Sequence, residues 1–114
     1  MATSYLDDED QFEVTHLATH AEREGFRISE ISLSETQQVP WHYHSRISDT
    51  FYVLEGEITV YALEPKEKYT LKGSETTTIK AGRPHLVRNT GEGLATFLVL
   101  QGLGEYDYVP YPDK

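Results

Sequence analysis

From Phe12 onward the chain alternates apolar and polar positions in short runs. The runs are FEVTHL, FRISEISL, VPWHYH, TFYVLE, EITVYAL, KYTLK, ETTTIK, HLVRNT and LATFLVLQG. They are rich in Thr, Val, Ile, Tyr and Phe, residues that fit a pleated, half-buried surface. Gly56, Gly73, Gly82, Gly91 and Gly93 fall between them. Short strands recurring every 8–12 residues or so, with such punctuation, predict an all-β sandwich or barrel. VLEGEITV predicts a hairpin with Glu55-Gly56 as its turn and Gly56 supplying positive φ. The alternation fails in ATHAEREG, Ala18 to Gly25, which reads as a helical turn or a polar loop ending at Gly25.

Strand phase sorts the chemistry. Residues two apart share a face of a strand. His42 and His44 therefore project together, with Trp41 and Tyr43 opposite. Asp49, Phe51 and Val53 form one face of the next run, and His85, Val87 and Asn89 one face of a later one. Three imidazoles and a carboxylate can converge if these faces line one interior. A His-x-His pair alone is a weak signal, since two half-exposed histidines packing against neighbours look the same. The later run strengthens it, because His85 follows a Gly-x-Pro turn at the head of a strand. Neutral imidazole suits Zn, Fe, Ni, Cu or Mn, whereas oxygen-only sites suit Mg and Ca. Three histidine ligands leave coordination positions open, the mark of a catalytic rather than a closed structural site.

Composition narrows the classes. The 114 residues correspond to one domain and include no cysteine, which excludes disulfides, thiolate metal sites and a cysteine nucleophile. Net charge is −9, from 19 acidic and 10 basic side chains, and the basic ones are scattered. A nucleic-acid binder concentrates Lys and Arg on one face, so neither nucleic acid nor an anionic membrane is an expected partner. MATSYLDDEDQFEV has neither a basic start nor an apolar run, and no stretch approaches the roughly 20 apolar residues of a membrane span. A cytoplasmic protein is the expectation.

The two histidine-bearing segments together resemble the motifs of the cupin superfamily. The first motif runs G-x5-H-x-H, three or four residues, E, six residues, G. His42, His44 and Gly56 fall on it, with Asp49 where Glu is usual and Thr36 at the first glycine. The second runs G-x5-P-x-G-x2-H-x3-N. Gly82, His85 and Asn89 match, Lys80 replaces the proline, and Gly73 lies one residue from its place. The resemblance covers residues 26 to 101. It implies a double-stranded β-helix, or jelly-roll, barrel holding a divalent transition metal (Fe, Mn, Ni or Zn) near one mouth, and a habit of forming homodimers. On that basis residues 1–25 form an acidic segment with a short strand or turn packing on the barrel, 26–104 the cupin barrel, and 105–114 a Tyr/Pro-rich tail.

His42, His44, Asp49 and His85 are then the candidate metal ligands. Aspartate for glutamate removes up to about 1.5 Å of reach, against a tolerance in ligand distance of about 0.2 Å. Three arrangements stay open: the strand shifts inward at Asp49, a water bridges it to the metal, or the histidines hold the ion alone. Phe51, Val53 and Val87 share faces with the ligands and are expected to wall a small-molecule pocket, with plain core as the competing role. Arg46 could grip a carboxylate or hydroxyl at the mouth, although a solvated loop is the commoner fate. His16 and His20, four apart, would share a helix face, but a solvated polar turn is the simpler reading. Asn89 is expected to cap its strand end. The tail carries Tyr106, Tyr108, Tyr111, Pro110 and Pro112. It is expected to run along a barrel edge, cover the pocket or reach a second subunit. The implied function is metal-dependent catalysis on a small molecule: dioxygenase, isomerase, cyclase or lyase. The alternative is a non-catalytic binding protein for a sugar or organic acid.

Overall fold

The computed structural model describes residues 13–111 together with the backbone of residues 3–4. Among the described residues, twelve strands account for the regular structure: β1 (Thr3–Ser4), β2 (Glu13–Val14), β3 (His16–Arg23), β4 (Phe26–Leu33), β5 (Gln38–Tyr43), β6 (Ser48–Glu55), β7 (Glu57–Ala62), β8 (Glu67–Lys72), β9 (Thr76–Ile79), β10 (His85–Asn89), β11 (Ala95–Gly102) and β12 (Val109–Pro110). Two antiparallel five-stranded sheets face each other, in the orders β12-β5-β10-β7-β8 and β3-β4-β11-β6-β9. β1 and β2 form a small ribbon. This is the expected all-β jelly roll.

The inward phase of β4, β6, β7 and β11 supplies most of the core. Ile31 and Leu33, Phe51 and Val53, Ile58, Val60 and Ala62, and Ala95, Phe97 and Val99 are all buried in one cluster. Alternation thus does what it must where one face is dry and the other wet. Val14 joins this core, and Thr15 N–H donates to the Ser32 carbonyl, which ties the N-terminal segment to β4. The run Leu6 to Asp10, expected to be a solvated tail, lies outside the described residues.

Two expectations are corrected. Residues 18–23 are neither helical turn nor loop. They continue β3, paired with β4 from His16↔Ser32 to Arg23↔Phe26, with a bulge between Thr19 and Ala21. β3 is an edge strand and mostly exposed, so no buried face imposes alternation on it. Gly25, with φ of 81°, makes the turn into β4. VLEGEITV is not a hairpin either. β6 pairs with β11 and β9, while β7 pairs with β10 and β8, so Gly56 is a corner at which the chain changes sheets. Its φ is 81°, and a Cβ there would lie 2.8 Å from the Leu94 carbonyl oxygen. The expected positive φ is present, but it serves the passage of β6 into the opposite sheet beside β11.

The described part of the tail follows the edge of a sheet, and Pro112 lies outside the described residues. β12 pairs with β5 through Val109↔Tyr43 and Pro110↔His42, and Tyr111 N–H donates to the Trp41 carbonyl.

Candidate metal centre

Register assembles the site from two cross-strand pairs on opposing sheets. His42 lies opposite His85 on β5 and β10, and Asp49 opposite Gln101 on β6 and β11. His44 follows one residue past β5, in phase with His42. All five side chains are buried. Asp49 Oδ2 lies 3.0 Å from Nε2 of His44, 3.0 Å from Nε2 of His85 and 4.0 Å from Nε2 of His42. One ligand atom from each of these four residues lies within 4.8 Å of all the others.

The outer ring nitrogens fix what the inner ones can be. Nδ1 of His42 is 2.8 Å from the Pro40 carbonyl, that of His44 2.5 Å from the Asp107 carbonyl, and that of His85 2.9 Å from the Arg83 carbonyl. A carbonyl only accepts, so each Nδ1 carries the proton and donates it. A neutral ring then turns its Nε2 lone pair inward, toward an Asp49 oxygen that also only accepts. Lone pairs so opposed call for a cation between them, either a proton or a metal ion. The donor set, three borderline nitrogens and a carboxylate, suits a divalent transition metal. The four residues could therefore hold such an ion.

Electrostatics divides the imidazoles. Burial, reinforced by the neighbouring His85 and His44, depresses His42 from its ordinary 6.5 to about 3. Burial alone would depress His44 too, but its hydrogen bond to Asp49 and the charge on that residue raise it instead. Burial would raise Asp49, yet hydrogen bonds from His44 and His85 hold it well below the usual carboxylate range.

Further contacts enclose the cluster. The Tyr108 ring stacks on His42 with centroids 4.5 Å apart and planes 13° from parallel, and the Tyr106 ring lies 5.6 Å from that of His44. Asp107 also accepts the Ser45 N–H at 2.7 Å. The cavity beside the ligands, about 20 Å³, is lined by Ile31, Val39, Phe51, Phe97, Val99 and Gln101 together with His42, His44 and Asp49. One water requires roughly 10–15 Å³ on this measure, so the cavity admits no organic molecule as it stands. An open cleft of about 690 Å³ lies between the β3–β4 turn and Gly104 to Tyr106, and Gln101 lines both spaces.

A family model described as "Cupin domain" matches residues 30–107. The chain is a cupin. No curated protein matches its sequence. Among solved structures, this cupin is similar to an uncharacterized conserved protein with a double-stranded beta-helix domain from Klebsiella pneumoniae, at 19% identity and a TM-score of 0.74, over 84% of this chain and 83% of that one. It is similar to an oxalate oxidase at 21% identity and a TM-score of 0.70, over 77% of this chain but 47% of that one. It is also similar to the Lactobacillus farciminis oxalate decarboxylase at 11% identity and a TM-score of 0.74, over 96% of this chain but 33% of that one. The cupin thus spans about half or less of either oxalate enzyme's chain, and at these identities the likeness concerns the fold.

The four expected metal ligands of the cupin come together. Phe51 lines the inner cavity, its ring 5.9 Å from that of His85. Val53 and Val87 are fully buried in the core and are not among the residues lining either cavity. Arg46 is exposed, 3.6 Å from Glu105. Asn89 donates to the Leu33 and Gly93 carbonyls and accepts the Gly91 N–H, so it shapes the turn after β10. His16 and His20 flank Glu30 on the outer face of β3 and β4, at 3.8 and 2.7 Å. Gln101 was not anticipated. Its signal was a polar residue at an inward position, in phase with Ala95, Phe97 and Val99.

Proposed function

We propose that this cupin is a metal-dependent enzyme acting on a small molecule, with His42, His44, His85 and Asp49 holding the ion. The observation that carries the reading is the set of inward Nε2 atoms, each fixed by an Nδ1–H donated to a carbonyl, facing one carboxylate. Such an ion supplies Lewis acidity and, if redox-active, one-electron chemistry. The protein orients it and keeps bulk water away. Phe51 would form the inner wall, backed by the core cluster it shares with Val53 and Val87, and Arg46, exposed beside Glu105, would grip a carboxylate or hydroxyl. Substrate enters from the open cleft when Tyr106 and Tyr108 move aside. Small dicarboxylates belong among the first compounds to test, because two similar folds are an oxalate oxidase and an oxalate decarboxylase. A cytoplasmic homodimer completes the reading, and Tyr52 and Leu54, exposed on β6, offer apolar surface for it.

The open cleft of about 690 Å³ beside the site favours a second reading, a binding protein for a sugar or organic acid in which the metal fixes the ligand and no turnover occurs. Elemental analysis of purified protein followed by assays with Fe, Mn, Ni or Zn separates the two. Metal-dependent product formation from dicarboxylates, catechols, diketones or sugar acids, lost in His42→Ala/His85→Ala, supports the enzyme. Saturable binding without product supports the second reading. Failure to retain any transition metal sinks both.

A further inference from the structure

Asp49 departs from the cupin pattern, and both of its carboxylate oxygens are engaged. Its Oδ2 faces the imidazoles, while its Oδ1 accepts a hydrogen bond from Gln101 Nε2 at 3.0 Å. Gln101 Oε1 in turn accepts from Arg27 Nε at 3.0 Å and Nη2 at 2.8 Å. These residues form one rung across three neighbouring strands, since Asp49 on β6 lies opposite Gln101 on β11 and Gln101 opposite Arg27 on β4. The rung has a direction that chemistry alone decides. A guanidinium only donates and a carboxylate only accepts, so the Gln101 amide can turn only its NH2 toward Asp49.

We infer that Gln101, held by Arg27, is the positioning residue of the metal centre, and that this rung lets Asp49 serve where a longer glutamate is usual. The inference rests on the metal-binding reading above. Aspartate is short by up to about 1.5 Å, so it ligates only if strand position and carboxylate orientation are both fixed. The β6–β11 register fixes the first. Gln101 fixes the second by occupying Oδ1, which leaves Oδ2 aimed at the three Nε2 atoms. The amide also acts as a spacer. A guanidinium paired directly with Asp49 could engage both oxygens in a fork and would compete with the ion. One amide removed, Arg27 supports the buried carboxylate electrostatically without blocking it. The arrangement selects direct ligation among the possibilities left open by the sequence.

The test uses Co(II) as the probe, with affinity from competition titration and geometry from the visible spectrum. Wild type, Gln101→Met, Asp49→Glu and the double variant are compared. Outer-shell losses are typically about 10–100-fold in metal affinity. Gln101→Met should show a loss of that size with an altered spectrum, and the same change on the Asp49→Glu background should cost well under tenfold. Rescue by the longer acid is what a merely structural role for Gln101 would not produce. Unchanged affinity and spectrum in Gln101→Met, or an equal loss on both backgrounds, would overturn the inference. If Gln101→Met does not fold, Arg27→Met decides. It releases Gln101 without altering it, weaker Co(II) binding with an altered spectrum is expected, and an unchanged protein overturns the inference. Wild type that binds no Co(II) refutes the metal reading and the positioning role with it. Wild type that binds, beside an indifferent Gln101→Met, refutes the positioning role alone.

Discussion

Among the described residues are two clusters of histidine and carboxylate, and they differ in almost everything except the kinds of group they contain. Glu30 lies between His16 and His20 on an outer face, and both imidazole side chains are about half exposed, at 51% and 50%. Asp49 lies among His42, His44 and His85, where no side chain exceeds 4% exposure. On the outside, water solvates every group and screens every charge, so an ion pair there contributes little. Inside, each ring is oriented by a carbonyl and the carboxylate by an amide, and an unmatched charge is costly. Buried and tethered, these groups can be shaped for an ion. Exposed, they merely decorate a sheet.

Removing the carboxylate from each cluster is the strongest way to break this contrast. Asp49→Ala should lower the unfolding free energy of the metal-free protein by about 3–5 kcal/mol, the usual cost of stripping one partner from a buried charged group, and should abolish stoichiometric metal. Glu30→Ala should change stability by less than about 1 kcal/mol and leave metal content intact. Urea denaturation and elemental analysis read both, and comparable effects at the two positions would erase the distinction.

Acid sharpens the comparison. His42 is depressed to about 3 from 6.5, so between those values the unfolded chain takes up a proton that the folded one refuses, and stability falls as pH drops. His44, raised by Asp49, has the opposite sign: it adds stability below 6.5 that fades as pH climbs through its folded value. Asp49, held low, adds stability above 3.8 that is lost as pH falls further. His42→Leu should therefore flatten the decline of metal-free stability between pH 6.5 and 3, as read by urea denaturation across that range. The smallest expected effect is His16→Ala/His20→Ala, with unchanged metal stoichiometry and a stability change of a few tenths of a kcal/mol that vanishes in high salt.

Strand phase made the inner cluster legible. His42 with His44, and Asp49 with Phe51 and Val53, could be assigned to inward faces from a period of two alone. What phase could not supply was register. Arg27 meets Gln101 across 74 residues of sequence, and nothing local announces that pairing. Gln101 itself was visible as a polar residue on an apolar face, an anomaly that only a buried partner explains. β3 is not legible as a strand because an exposed edge strand has no dry face to impose a pattern. The sequence around Gly56 does not tell a hairpin from a change of sheets, because a glycine with positive φ marks a sharp bend equally well within one sheet or between two.

The Asp107 carbonyl that holds the His44 ring belongs to the segment that also lays Tyr108 on His42. If these residues hold an ion, it and the C-terminal strap would be reciprocally linked: whatever peels the strap away would loosen the grip, and a bound ion would clamp the strap by the same free energy. Any ligand that displaced this segment would then work against that hold, so entry and retention would be set by one shared equilibrium.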